Sequence, residues 1–233
     1  MTNIFVAAGS SLEGVDEHLK SVAYHTGRKI AESGATLIIG DAKCNGLMDF
    51  VAQGALEASS GPKQRVIEIN TQEFLEERKE NGTTTPKGVK TIRMKDLHER
   101  TAALLNKADH MIALPGNHGV KAELQNAIME AGIKETGHII ALNHSGMFDY
   151  LQGTDLPHRV QIIEPLMDAV GTARLLVSKT QFQEVRICGT EETITDDTPP
   201  TLWGRDKEEP EKPKPMVRNW LGKLPAKDKT RGS

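Results

Sequence analysis

Short apolar runs alternate with longer stretches of helical spacing over most of this chain. Residues 3–8 (NIFVAA) have the pattern of a buried strand and are stopped by Gly9-Ser10-Ser11. Asp16 then stands as an N-cap for a helix through Ser33, with Leu19, Val22, Ala23 and Ile30 on one face and Gly34 at the terminal position that favours glycine. Residues 36–39 read as a second strand, 41–46 as a polar loop, 47–59 as a helix and 64–69 as a third strand. A charged helix over 71–79, expected to be a solvated face, leads to a fourth strand at 88–94. Residues 97–107 have helical spacing without Gly or Pro, and the apolar run 111–114 ends at Pro115-Gly116. Further strands are expected at 138–142 and 160–163, with a short helix at 147–151 between them and a final helix from Pro165 through Ser178. This rhythm predicts an α/β fold over residues 1–180, a Rossmann-like doubly wound parallel sheet with helices on both faces.

After about Thr190 the pattern ends. Residues 190–233 are rich in proline and charge and are expected to form a disordered tail, because such a segment has too little apolar surface to build a core. Trp203 and Trp220 lie inside it, so docking of the stretch around Trp220 on the body or on a protein partner is the alternative.

Composition narrows the function. A net charge of −3 and a pI near 6.3 carry no signal for nucleic acid or membrane, and they suit a small charged metabolite better. An aromatic content of 4% also argues against base-stacking platforms. Cys44 and Cys188 have no metal or redox spacing, the N-terminal apolar run is too short for a signal peptide, and no stretch approaches the roughly 20 apolar residues that span a bilayer. A cytoplasmic protein without metal or cofactor is the expectation.

The chemistry gathers between Leu97 and Leu124. A turn of small residues between strand and helix, Pro115-Gly116-Asn117-His118-Gly119-Val120, leaves backbone N–H groups free to hold an anion such as a phosphate. Arg100 precedes this loop, and its planar fork suits a phosphate or ribose hydroxyl. Glu123 follows it, read as lying in the first turn of the next helix, where the dipole would keep the carboxylate ionised. The alternative is that Arg100 and Glu123 simply pair with each other. His98 and His118 lie in the same stretches as candidate acids.

This constellation resembles the LONELY GUY-type phosphoribohydrolases, a family often mislabelled as lysine decarboxylases. Their signatures M-H-E-R-K and P-G-G-x-G-T-x-x-E are matched by Leu97-His98-Glu99-Arg100-Thr101 and by Pro115-Gly116-Asn117-His118-Gly119-Val120-Lys121-Ala122-Glu123. The family's G-S-S turn is matched by Gly9-Ser10-Ser11, and its G-L-M-G by Gly46-Leu47-Met48-Asp49. The departures are Leu97, Thr101, Asn117, Val120 and Asp49; asparagine tolerates positive φ, and valine removes a hydroxyl that would bond a phosphate. The resemblance implies that Arg100 and Glu123 are catalytic and that Gly9, Ser10, Ser11, Gly46, Met48 and the 115–120 loop bind a nucleotide. It implies hydrolysis of a cytokinin riboside monophosphate or related purine nucleotide to free base and ribose 5-phosphate, in a homodimer. The rival expectation is a non-catalytic nucleotide-binding or sensing module whose tail recruits a partner.

Overall fold

The computed structural model describes residues 2–41, 45–59, 65–129 and 137–180. The expected tail, with Trp203 and Trp220, lies outside these residues, as does most of the polar loop before Asn45.

Among the described residues the chain alternates strand and helix: β1 (Asn3–Ala7), α1 (Glu17–Glu32), β2 (Thr36–Ile39), α2 (Leu47–Ala58), β3 (Val66–Thr71), α3 (Gln72–Glu80), β4 (Val89–Met94), α4 (Leu97–Lys107), β5 (His110–Ala113), α5 (His118–Met129), β6 (Ile139–Leu142), β7 (Val160–Ile163) and α6 (Ala169–Thr180). All strand pairs are parallel, in the order β4-β3-β2-β1-β5-β6-β7. The doubly wound sheet expected from the sequence is therefore present. Successive crossovers run outward from β1 in one direction and then reverse, so a switch point lies between β1 and β5. In open sheets of this kind the loops on either side of that point diverge and leave a crevice at the carboxyl ends of the strands.

Period-two alternation within the strands feeds two cores. Ile4 and Val6 of β1 face Leu19, Val22, Leu47, Val51 and Leu176 of α1, α2 and α6, while Phe5 and Ala7 face Leu104, Leu124 and Phe148 on the other side. Both faces are apolar because both are covered, as parallel sheets require. The Asp16 carboxylate accepts the Leu19 N–H at 2.7 Å, and Gly34 at φ 80° ends α1 as expected.

Four expectations need correction. The final helix starts at Ala169 instead of Pro165, because the Asp168 carboxylate accepts the Val170 and Gly171 N–H groups. Instead of a helix at 147–151, two 3₁₀ turns occupy His144–Gly146 and Asp149–Leu151. The turn before α5 closes early, so α5 begins at His118 and Glu123 falls in its second turn. Helix α3 is not only a solvated face. Its Arg78 is buried, with Nη1 donating to Asp41 Oδ1 at 2.6 Å and Glu68 Oε1 at 2.5 Å, and Nη2 donating to Thr85 Oγ1 at 2.6 Å. Glu68 lies inside β3, where such a charge needs a partner.

Candidate functional site

Three loops meet at the carboxyl end of β1. The Gly9 N–H donates to the Pro115 carbonyl at 3.1 Å, and the Leu47 N–H donates to the Gly9 carbonyl at 2.9 Å. The turns after β1, β2 and β5 are thus joined through one residue. Side chains would prevent this. A Cβ on Gly9 would lie 3.0 Å from Gly116 Cα, one on Gly116 would lie 2.8 Å from Gly9 Cα, and one on Gly46 would lie 2.7 Å from Ser10 Cα. These glycines serve close backbone approach, and none of the three has a positive φ.

Beside this junction lies a cleft of about 270 Å³ lined by Ser10, Met48, Arg100, Asn117, Gly119, Val120 and Glu123 from the residues named by the sequence. Ala8, Asp41, Asn70, Phe74 and Leu97 complete its wall. A second recess of about 370 Å³ adjoins it, lined by Gly9, Ser10, Ser11, Pro115, Gly116 and Asn117 together with Val15, His144 and Met147. Ser10 and Asn117 line both, and Asn117 Nδ2 donates to Ser10 Oγ at 3.3 Å. Gly46 packs beneath Gly9 and Ser10 and lines neither. His118 and His98 are exposed and also line neither, so the structure does not bring them to the cleft as candidate acids.

Arg100 Nη1 and Glu123 Oε1 stand 3.3 Å apart, with side chains 14% and 15% exposed. The guanidinium reaches this position over Gly40, where a Cβ would overlap it. Its Nε is buried and has no hydrogen-bond partner among the described residues. Burial pushes the Glu123 carboxyl above the ordinary glutamate range, and the Arg100 charge only partly offsets this. That reverses the expected helix-dipole effect: Glu123 sits one turn too deep in α5 to gain from the N-terminus, which acts within the first turn.

Gly40→Ala tests how far Arg100 depends on this space. The clash falls on the mobile end of a side chain, so the fold is expected to survive with a near-unchanged melting temperature while the guanidinium is displaced. Ligand affinity or turnover should fall about tenfold or more, and retention of both would show that Arg100 has other room.

The family departures have local explanations. Asn117 is not at positive φ and caps α5, its Oδ1 accepting the Gly119 N–H at 3.1 Å. Asp49 is buried and its Oδ2 accepts the Asn45 N–H at 3.0 Å, which braces a residue at φ 56°. Val120 is buried in the core as well as lining the cleft. Thr101 turns its hydroxyl back to the Leu97 carbonyl at 2.9 Å and does not line the cleft.

Sequence reasoning did not select Asp41, Asn70 or Phe74. Their common signal was position: each lies at or just beyond the carboxyl end of β2 or β3, on the crevice side of the sheet.

The molecule is therefore a Rossmann-like α/β protein with a cleft beside its switch point. The family described as "Possible lysine decarboxylase" matches residues 48–160, from α2 to β7, and this is the description often attached to the LONELY GUY-type family. The match spans just under half of the chain and supports its resemblance to that family. No curated protein matches it significantly. Among solved structures it is similar to TM1055, at 19% identity and a TM-score of 0.55, with 77% of this chain and 99% of that one covered. It is also similar to the molybdenum cofactor binding protein of the phototrophic bacterium Rippkaea orientalis, at 20% identity and a TM-score of 0.52, covering 76% and 94%. The molybdenum cofactor carrier protein of Chlamydomonas reinhardtii gives 18% identity and a TM-score of 0.54, covering 76% and 99%. At these identities the likeness concerns the fold. Among the described residues no helix is long and apolar enough to cross a membrane.

Proposed function

We propose that the chain hydrolyses the N-glycosidic bond of a nucleoside 5′-monophosphate, a purine nucleotide of the cytokinin riboside monophosphate kind. The observation that carries this reading is the Arg100–Glu123 pair inside the cleft beside the loop junction. In the reaction the bond from the anomeric carbon to the base nitrogen breaks and a water oxygen bonds to that carbon. The base leaves with a proton, and the sugar leaves as ribose 5-phosphate. The sugar becomes cationic on the way, so a carboxylate beside it stabilises the transition state and accepts a proton from the attacking water. Glu123 has the burial suited to that role, since a raised pKa makes it a better base near neutral pH. Arg100 would clamp a phosphate or ribose hydroxyl, with its unpartnered Nε and its second terminal nitrogen as donors. The backbone of the 115–120 loop, at the start of α5, would hold the phosphate.

The proposal includes a cytoplasmic homodimer in which the neighbouring subunit helps to shape the cleft. A second reading, a nucleotide- or cofactor-binding carrier without turnover, draws on Val120, which removes the family's threonine hydroxyl, and on the carrier proteins that share the fold. Incubation with a panel of nucleoside 5′-monophosphates separates the two. Release of a free base, followed by chromatography, is the expected result. Tight binding of one nucleotide with no release from any would establish the carrier instead.

A further inference from the structure

The far wall of the cleft carries an amide whose nitrogen has no partner in the fold among the described residues. Asn70 is 1% exposed, at the penultimate position of β3. Its Oδ1 accepts the Thr71 N–H at 2.9 Å, which fixes the amide's orientation and leaves Nδ2 as the other end. That nitrogen is buried without a hydrogen-bond partner among the described residues. An orphaned buried donor is costly, and native structures keep few without a purpose. Asn70 also lies beyond the paired part of β2, whose last partner on β3 is Glu68. The chain of β2 has left the sheet there, and the wall opens into the cleft at that level.

Apolar side chains stand on the same cleft. Phe74 is 42% exposed and Leu97 57%, and both line it together with the buried Met48. Two large apolar side chains exposed on the cleft mark a surface that an apolar ring can cover. The sheet order gives the direction. The loop junction lies over β1 and β5, and Asn70 lies two strands away on β3, about 10 Å at the usual strand spacing. Arg100 and Glu123 belong to the same cleft.

We propose that Asn70 is a specificity-determining residue, whose Nδ2 donates to a ring nitrogen of a purine base held against Phe74, Leu97 and Met48. This rests on the nucleotide reading given above. It adds the base-reading residue and the chemistry it reads, an unprotonated ring acceptor. Because the amide oxygen is already engaged, the nitrogen is the end left to read the base.

The test compares binding of adenosine 5′-monophosphate with that of its 1-deaza, 3-deaza and 7-deaza analogues, each of which replaces one ring acceptor by C–H. Titration calorimetry on the full chain, with Glu123→Gln suppressing any turnover, is the measurement. One analogue is expected to bind about five- to a hundredfold more weakly than the parent, because it leaves the buried donor unpaired again. In Asn70→Ala that same analogue should bind as well as the parent. Equal binding of all four nucleotides to the protein with Asn70 intact overturns the proposal, and so does a preference that persists in Asn70→Ala. The first comparison needs no Asn70 variant, so a variant that fails to fold does not remove the test. Base release by the unsubstituted chain is followed separately. A coupled loss at Asn70 without release supports the base-reading residue while overturning hydrolysis, and failure of adenosine 5′-monophosphate to bind at all overturns both.

Discussion

Glu123→Gln is expected to lower turnover roughly a hundred- to ten-thousandfold while leaving the fold and nucleotide affinity nearly intact. The substitution keeps the shape of the side chain and removes only its charge and basicity. In the cleft the glutamate carries a burial penalty that Arg100 only partly offsets, so the neutral amide relieves a cost to the folded protein. The melting temperature near neutral pH should therefore be unchanged or slightly raised, and that pairing of lost activity with retained stability identifies a functional carboxylate. A circular-dichroism melt and a base-release assay on the same preparation are sufficient. Unchanged turnover would remove Glu123 from the mechanism and leave Arg100–Glu123 as a structural ion pair.

The strands and first helices were legible because their signals are local. Asn3–Ala7 alternates between two cores, Asp16 caps α1 through its own side chain, and α4 occupies the expected residues 97–107 without revision. Errors arose where two local signals competed. Pro165 and Asp168 both suit a helix start, and the side-chain bonds from Asp168 decide between them. At α5 the weak helical pattern before Glu123 hid the cap provided by Asn117, and with it the true depth of the carboxylate.

The site was legible only in the parts a motif can carry. Arg100 and Glu123 are 23 residues apart and are brought together by α4 and α5, the helices before and after β5. Arg78 looked solvated because α3 is charged throughout, and its burial depends on Glu68 in β3 and Asp41 after β2. Asn70 gave no signal, since one polar residue at a strand end has no periodicity. Its importance comes from the hydrogen bond that it lacks.

Arg100 should reveal itself through pH. With Arg100→Leu the cation that draws the Glu123 pKa down is gone while burial remains, so the carboxyl is expected to titrate still higher than in the unsubstituted chain. If Glu123 must be ionised to act, the acid limb of kcat/KM then moves toward higher pH, on top of a loss of about a hundredfold from the missing clamp. Stability should move in the matching direction. A carboxyl with a folded pKa above its unfolded value binds its proton more tightly in the folded state, so its contribution is fully present below the unfolded pKa. That contribution is lost as pH rises through the folded pKa. The difference in melting temperature between the two proteins should therefore widen as pH rises above the ordinary carboxylate range. Arg100→Lys separates charge from shape. The ammonium keeps the acid limb near its original position, but it lacks the planar fork, so kcat/KM should still fall. An acid limb that stays in place in Arg100→Leu would mean that a group other than Glu123 governs the reaction, and the 3.3 Å contact would then serve only to hold α4 against α5.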